Sequence, residues 1–301
     1  MLDDTVCIVT GGGRGIGEAT AKNMASHGAT VVVNDLGVDL SGKGPDEQPA
    51  KETVDDIIED GGEAMMHHGD VTDLEYTEQL IRDTVSEYGA VHNVTNAAGI
   101  LRDSRVFNMS ESEWDAVIDV HLKGHFSLVR NAASHWKERY AKEEYGRERS
   151  ILCFSSAAAK GNPGQANYSA AKAGILGLMR TSARELHRYS VRVNAFWPGA
   201  LTRMTRKLVE QFGMDLSEEE FGTKLCAPLP TALASEEADG LTGNTFGLRG
   251  GTLGYVSDPN EDRTMIKDDL EQGGWTAEEI VESLSELTEG YDTNKTDPVG
   301  M

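Results

Sequence analysis

The chain has 301 residues, 39% of them apolar, and its 50 acidic residues outnumber the 28 basic ones to give a net charge of −22. Nucleic-acid binding relies on basic surface, so this charge argues against a nucleic-acid partner. No uninterrupted apolar run approaches the roughly 20 residues that a membrane span needs, so no membrane segment is expected.

The acidic residues are spread along the chain instead of forming one block, which favours an acidic folded surface over a disordered arm. Molar salt shortens the Debye length to about 3 Å and removes the self-repulsion of such a surface. We therefore expect a halophilic protein from a salt-rich cytosol, the alternative being an ordinary acidic protein of a mesophile.

Several sorting and redox signals are missing from the sequence. The chain begins without a signal or transit pattern, and Val299-Gly300-Met301 is not a peroxisomal address, so a cytoplasmic location is expected. Cys7, Cys153 and Cys226 lack the spacing of disulfide pairs or metal ligands and are expected to be inert.

The N-terminal segment predicts a nucleotide-binding turn. Residues 5–10 are apolar and β-branched and predict a buried strand, and an amphipathic helix is predicted to run to His27. Between them lies a glycine-rich loop, with the spacing Gly-x3-Gly-x-Gly at Gly11, Gly15 and Gly17. Exposed N–H groups and a helix dipole favour an anion, so this turn predicts a pyrophosphate cradle.

The second predicted strand, residues 30–34, ends at Asp35, close to where an acid that binds the adenosine ribose should lie. Asp35 would accept hydrogen bonds from the ribose hydroxyls and repel a 2′-phosphate, so NAD is expected in preference to NADP. Arg14 complicates this choice, because a basic residue in the glycine loop can pair with a 2′-phosphate. The alternative, which we favour, is that Arg14 is a solvated loop side chain.

Two more strands are predicted to end at the same edge of a parallel sheet, where ligands of open α/β sheets bind. Residues 65–70 lead into Gly69-Asp70-Val71, and residues 91–95 lead into Asn96-Ala97-Ala98-Gly99. His67-His68 lies beside the first of these strand ends, but a metal site is not expected there.

The central candidate site is Tyr168 with Lys172, one turn apart in an Ala-rich segment that is predicted to be helical to about Tyr189. An ammonium beside a tyrosine favours the phenolate, so Lys172 is predicted to lower the pKa of Tyr168, the acid/base. Ser155 follows a predicted buried strand, residues 151–154, and its hydroxyl is predicted to hydrogen-bond a substrate carbonyl or alcohol beside Tyr168.

These motifs fall in the order found in the short-chain dehydrogenase/reductase family, which the chain resembles over residues 1 to about 205. The resemblance implies an NAD(P)-dependent oxidoreductase that is dimeric or tetrameric. It assigns the adenosine ribose to Asp35, the adenine to Asp70 with Val71, and the nicotinamide ribose to Lys172. The predicted cofactor residues are Gly11, Arg14, Gly15, Ile16, Gly17, Asp35, Asp70, Val71, Asn96, Ala97, Gly99, Tyr168, Lys172, Pro198 and Gly199.

The family usually has an asparagine in the helix before the Ser155 strand, and here His121 occupies that position. In the family this residue acts largely through its backbone carbonyl, which holds a water on the proton path from the lysine. A histidine is therefore compatible with activity. His121 is a candidate catalytic residue, with a purely structural histidine as the alternative.

A narrower resemblance points to the substrate. The long loop from Asp35 to Pro49, the approach to Tyr168 from Gly161 and the run Arg203-Met204-Thr205 are similar to the (3R)-hydroxyacyl-CoA dehydrogenase parts of type 2 multifunctional enzymes. The resemblance implies a 3-hydroxyacyl or 3-oxoacyl thioester, and steroid and polyol alcohols are alternatives. A non-catalytic nucleotide sensor is a further alternative, although such proteins typically lose the tyrosine or the lysine.

The strand–helix alternation predicts one α/β domain, residues 1–254, with a doubly wound Rossmann-type parallel sheet, helices on both faces and a substrate lid within about 200–240. Nearby cations are expected either to hold an anionic substrate or only to aid solubility: Arg102, Arg105, Arg203, Arg206 and Lys207. Residues 255–301 are predicted to form a helical tail, in which a capping box at Thr276 and Glu279 starts one amphipathic helix. That helix is expected to pack on the domain or on a partner subunit.

Overall fold

One eight-stranded sheet organises the chain in this computed structural model, which describes residues 1–141, 149–206, 216–267 and 275–291. The strand order is β3-β2-β1-β4-β5-β6-β7-β8; the first seven strands are parallel, and β8 runs antiparallel to β7. The strands are β1 (Val6–Thr10), β2 (Thr30–Asp35), β3 (Glu63–His68), β4 (Asn93–Asn96), β5 (Arg149–Phe154), β6 (Val191–Gly199), β7 (Thr245–Arg249) and β8 (Thr252–Val256).

Helices cover both faces of the sheet. On one face Leu80, Leu128 and Ile175 belong to one apolar cluster, and on the other Met24 and Ile57 belong to a second. The helices are α1 (Gly15–Ser26), α2 (Gln48–Glu59), α3 (Leu74–Tyr88), α4 (Glu111–Ile118), α5 (Gly124–Ala141), α6 (Ala166–Leu186), α7 (Glu218–Phe221) and α8 (Pro228–Ala234). The predicted doubly wound α/β fold is therefore confirmed.

The complete burial of the central strands follows from this double cover. Every residue of β1 is buried, as is every residue of β4 and β5, because a parallel sheet with helices on both faces has no solvent-facing side. The register aligns the carboxyl ends of the strands: Thr10 pairs with both Asn34 and Asn96, and Phe154 pairs with Phe196. The residues that follow these strands therefore meet along one edge.

Three features differ from the sequence prediction. Strand β3 ends at His68, so Asp70 lies in the following turn and not in the strand. A single turn of π-helix, Asp119–Lys123, joins α4 to α5. Strand β8 was not expected; Gly250, with φ +49°, lies in the short turn that reverses the chain after β7.

The described residues divide into two compact units, one that ends at Val256 and one that begins at Ser257. The second contains helix α9 (Ala277–Leu287), and the predicted capping box at Thr276 and Glu279 is confirmed, with both of its hydrogen bonds formed. Within this unit Lys267 Nζ lies 2.7 Å from a Glu279 carboxylate oxygen, and Arg263 donates to the Glu286 carbonyl at 2.5 Å. These two contacts hold the segment before α9 to both ends of the helix.

No helix among the described residues is both long and apolar enough to cross a membrane.

Candidate active site

A cavity of about 440 Å³ opens at the carboxyl edge of the sheet, where the strand order reverses between β1 and β4. It brings together most of the predicted site residues, namely Gly11, Arg14, Gly15, Ile16, Gly17, Asp35, Asp70, Val71, Ala97, Gly99, His121, Ser155, Tyr168, Lys172 and Pro198. Two predicted cofactor residues do not line it. Asn96 is buried within β4, and Gly199 pairs with Arg249 of β7.

The glycine turn at the start of α1 is built by close backbone approach. Gly11 has φ +65°, and a Cβ there would lie 2.7 Å from the backbone of Ala98. A Cβ on Gly17 would overlap the carbonyl oxygen of Gly11, so only glycine lets α1 begin against this turn. The free N–H groups at the start of α1 therefore border the cavity, as an anion-binding turn requires.

Asp35 is fixed at the end of β2 by two backbone donors. One carboxylate oxygen accepts a hydrogen bond from Gly13 N–H at 2.8 Å, and the other accepts one from Gly37 N–H at 2.6 Å. Arg14 donates to the carbonyl oxygens of Gly37 and Val38, at 3.3 and 3.2 Å. Arg14 is therefore not the solvated loop side chain that we favoured from the sequence, because it anchors the loop that follows Asp35.

Reciprocal hydrogen bonds join α6 to the end of β5. Lys172 Nζ donates to the carbonyl of Phe154 at 2.6 Å, and Ser155 Oγ donates to the carbonyl of Lys172 at 2.8 Å. The Lys172 Nζ also lies 5.4 Å from the ring centroid of Tyr168. The two motif residues on the helix are therefore held at the cavity by β5.

The serine beside the Tyr168 phenol is Ser156, whose hydroxyl hydrogen-bonds it. Ser156 Oγ also accepts a hydrogen bond from Ala158 N–H at 3.2 Å. Sequence reasoning missed this residue, because successive side chains at a strand end point to opposite sides and two adjacent serines look equivalent in the sequence.

Burial dominates the titration of both motif side chains. It raises the pKa of Tyr168 to about 12, against the hydrogen bond from Ser156, which lowers it. Burial also lowers the pKa of Lys172 to about 7. The predicted depression of the Tyr168 pKa by Lys172 is therefore absent from this structure, because desolvation disfavours the charged form of each group.

His121 is fully buried in the π-helical turn, and its ring meets that of Tyr168 edge-on with centroids 5.0 Å apart. Its Nε2 lies 2.8 Å from the Ile100 carbonyl oxygen, and a Cβ on Gly99 would overlap the imidazole. His125 Nδ1–H donates to the His121 backbone carbonyl at 2.6 Å. Burial lowers the pKa of His121 well below its usual value, so the ring beside Tyr168 is neutral.

Of the predicted substrate-side cations, Arg102 and Arg203 line the cavity. Burial lowers the pKa of Arg203, and the nearby charge of Arg14 adds to this effect. Arg206 instead pairs with Glu218 at 3.2 Å on the surface, and Arg105 is exposed. Lys207 and the rest of 207–215, within the predicted lid, lie outside the described residues.

Residues 5–212 match the model of the short chain dehydrogenase family, and the chain belongs to that family. It is an oxidoreductase that acts on CH–OH groups. The resemblance proposed from the motifs is thereby confirmed, including its narrower part.

Two relatives and one solved structure show how far the similarity extends. The chain is 37% identical to hydroxyacyl-CoA dehydrogenase ChsB1 of Mycobacterium tuberculosis, over 97% of this chain and 90% of that protein. It is 38% identical to peroxisomal multifunctional enzyme type 2 of Mus musculus, over 85% of this chain but 33% of that longer protein. The crystal structure of a short chain dehydrogenase from Mycobacterium avium aligns with a TM-score of 0.85 and 36% identity, covering 100% of this chain and 98% of that one.

The buried amine of Lys172 gives the first prediction. Its pKa in the fold, about 7, lies below the ordinary 10.5, so between these values the unfolded chain binds more protons than the folded one. Burial of Lys172 therefore lowers the free energy of unfolding most at and below about pH 7, and this destabilisation becomes smaller as the pH rises. We expect Lys172→Met to be more stable than the wild type at pH 7, with an advantage that shrinks toward about pH 10.

Urea unfolding of both proteins, without added nucleotide and at several pH values, measures this difference. A stability difference that stays constant across the pH range would contradict the prediction.

Proposed function

We propose that the protein is an NAD(H)-dependent dehydrogenase of 3-hydroxyacyl thioesters, which it converts reversibly to 3-oxoacyl thioesters. The observation that carries the proposal is the meeting of the Tyr168 phenol and the Lys172 amine in the cavity that the glycine turn borders. The similarity to a hydroxyacyl-CoA dehydrogenase supports the substrate class.

The residues of the cavity fit a dinucleotide. At Gly15, which has φ +64°, a Cβ would meet only open space, and the start of α1 offers N–H groups to a pyrophosphate. Asp35 would hold the adenosine ribose, Asp70 the adenine and Lys172 the nicotinamide ribose. When bound, the nicotinamide accepts or supplies the hydride.

The protein's own part in the reaction is proton transfer. During oxidation the substrate hydroxyl gives its proton to the Tyr168 oxygen, and during reduction the Tyr168 phenol returns a proton to the carbonyl oxygen. In this proposal Lys172 favours the phenolate only in its charged form, and with a pKa of about 7 the amine is only partly charged at neutral pH. The neutral ring of His121, packed on Tyr168, fixes the orientation of the phenol without adding a competing charge.

A hydroxyl beside the phenol is needed to hold the substrate oxygen. Ser156 meets this requirement in its hydrogen bond to Tyr168, whereas Ser155 bonds the Lys172 carbonyl. We therefore assign the substrate contact to Ser156 and the positioning of Lys172 to Ser155, with exchange of these two roles as the alternative. Arg102 and Arg203 supply positive charge at the cavity for an anionic substrate such as a CoA thioester.

The central experiment follows nicotinamide absorbance while the purified protein meets acetoacetyl-CoA and NADH. We expect turnover by the wild type and a loss of at least about 100-fold in kcat for Tyr168→Phe, because the substitution removes only the proton donor. NADH binding by this variant, measured by calorimetry, should stay unchanged.

Ser155→Ala and Ser156→Ala, assayed in the same way, serve as a matched pair. The larger loss of kcat identifies the serine that contacts the substrate. Full turnover by Tyr168→Phe would show that the site is not catalytic. Absence of wild-type turnover, with NADH binding intact, would discard the acyl thioester in favour of steroid or polyol alcohols.

We propose NAD(H) as the cofactor because the Asp35 carboxylate, held at the end of β2 by Gly13 and Gly37, would repel the 2′-phosphate of NADP. Asp35→Ser should lower kcat/KM with NADH by about 10- to 100-fold, the effect of losing charged hydrogen bonds, and should raise kcat/KM with NADPH. Asp39→Ser is the matched control, since Asp39 is a second carboxylate lining the same cavity. An unchanged ratio of the two kcat/KM values would overturn the assignment.

We also propose that the protein is a halophilic, cytoplasmic homodimer or homotetramer, whose extension at 255–301 packs on its own domain or on a partner subunit. The support for salt adaptation is the net charge of −22. Screening of this charge should raise the midpoint of thermal unfolding between low and molar KCl. A midpoint that does not move with KCl would refute the salt adaptation.

A further inference from the structure

A hydrogen-bond network ties the end of strand β2 to the turn that follows β3. Asn34 is fully buried, and its Nδ2 donates to the backbone carbonyls of His67 and Gly69, at 3.0 and 3.2 Å. The same nitrogen lies 2.9 Å from the phenolic oxygen of Tyr76, in the first turn of α3. One amide therefore links β2, the end of β3 and helix α3.

The network continues to the surface. His67 Nδ1 lies 2.6 Å from the Tyr76 oxygen, and His67 Nε2 lies 3.1 Å from a carboxylate oxygen of Asp83. A carboxylate only accepts, so Nε2–H donates to Asp83, and in this tautomer Nδ1 can accept from the Tyr76 O–H. The Tyr76 oxygen can then accept from Asn34, whose two Nδ2–H groups are shared among this oxygen and the two backbone carbonyls.

The protonation states of Tyr76 and Asp83 agree with these donor and acceptor roles. Burial raises the pKa of Tyr76, which keeps the phenol protonated, and the hydrogen bond from His67 lowers the pKa of Asp83, which keeps the carboxylate ionised. The phenol therefore remains a donor at neutral pH, as the link to His67 requires.

Two members of the network are the sequence neighbours of the two predicted adenosine ligands. Asn34 precedes Asp35, and Gly69 precedes Asp70. The ring of Tyr76 packs so closely on Gly69 that any Cβ there would overlap it. Asp70 itself is held by Thr72 N–H, which donates to its carboxylate at 2.8 Å. The position of the Asp70 turn relative to Asp35 thus depends on Tyr76 and Asn34.

We infer that Asn34, His67 and Tyr76 are positioning residues for the adenosine half of the cofactor, because they fix the spacing between Asp35 and Asp70. The inference rests on the adenosine-binding roles assigned to these two aspartates in the proposed function. Tyr168 and Lys172 lie on α6, which takes no part in the network. Loss of the network should therefore weaken cofactor binding and leave the proton-transfer step intact.

Tyr76→Phe tests this, since it removes the hydroxyl and keeps the ring on Gly69. We expect the Kd of ADP-ribose, measured by calorimetry, and the KM of NADH to rise roughly three- to tenfold, the range for one lost hydrogen bond. The kcat with acetoacetyl-CoA should stay at the wild-type value. The Kd of nicotinamide mononucleotide, which lacks adenosine, should also be unchanged.

Tyr88→Phe is the matched control, because it makes the same change at the other end of α3 and should leave all four quantities unchanged. If Tyr76→Phe does not fold, His67→Ala removes the acceptor of the phenol and should give the same pattern. An unchanged Kd for ADP-ribose, or equal losses for ADP-ribose and nicotinamide mononucleotide, would overturn the inference. A wild type that binds ADP-ribose but shows no turnover would instead count against the proposed reaction alone.

Discussion

The reciprocal hydrogen bonds between helix α6 and strand β5 are the constraint on which the candidate site depends. The side chain of Lys172 reaches the strand carbonyl at Phe154, and the side chain of Ser155 reaches the helix carbonyl at Lys172. Each element thus satisfies a buried polar group of the other. Because Tyr168 lies one turn before Lys172, the same two bonds also set where its phenol enters the cavity.

Burial of Lys172 and Tyr168 at this junction affects both the stability of the fold and the ionisation of the two side chains. Taking an ammonium and a phenol out of water disfavours the ionised form of both, and the folded chain tolerates this cost because the apolar clusters on both faces of the sheet offset it. A site whose groups resist ionisation when buried is sensitive to any further charge that enters beside them. The chemistry of Tyr168 and Lys172 is therefore coupled to what occupies the cavity.

Much of the fold and of the candidate site could be predicted from local patterns in the sequence. The glycine turn, the buried strands and the Tyr168–Lys172 pair follow from spacing and hydrophobicity over a few residues, and the structure places them in one cavity. The features that could not be predicted from the sequence depend on tertiary contacts. The choice between Ser155 and Ser156 depends on the exact end of β5, and the anchoring role of Arg14 depends on a loop that folds back over it.

Gly99 shows how a motif residue can owe its identity to a distant part of the chain. It is one of the predicted cofactor residues and lines the cavity, and the atoms that a Cβ at this position would meet belong to the imidazole of His121. The two positions therefore form one steric unit although α4 and its flanking loop separate them in sequence. In evolution or in design, a smaller residue must replace His121 before any residue with a Cβ can replace Gly99. The substitutions at these two positions can therefore occur in only one order.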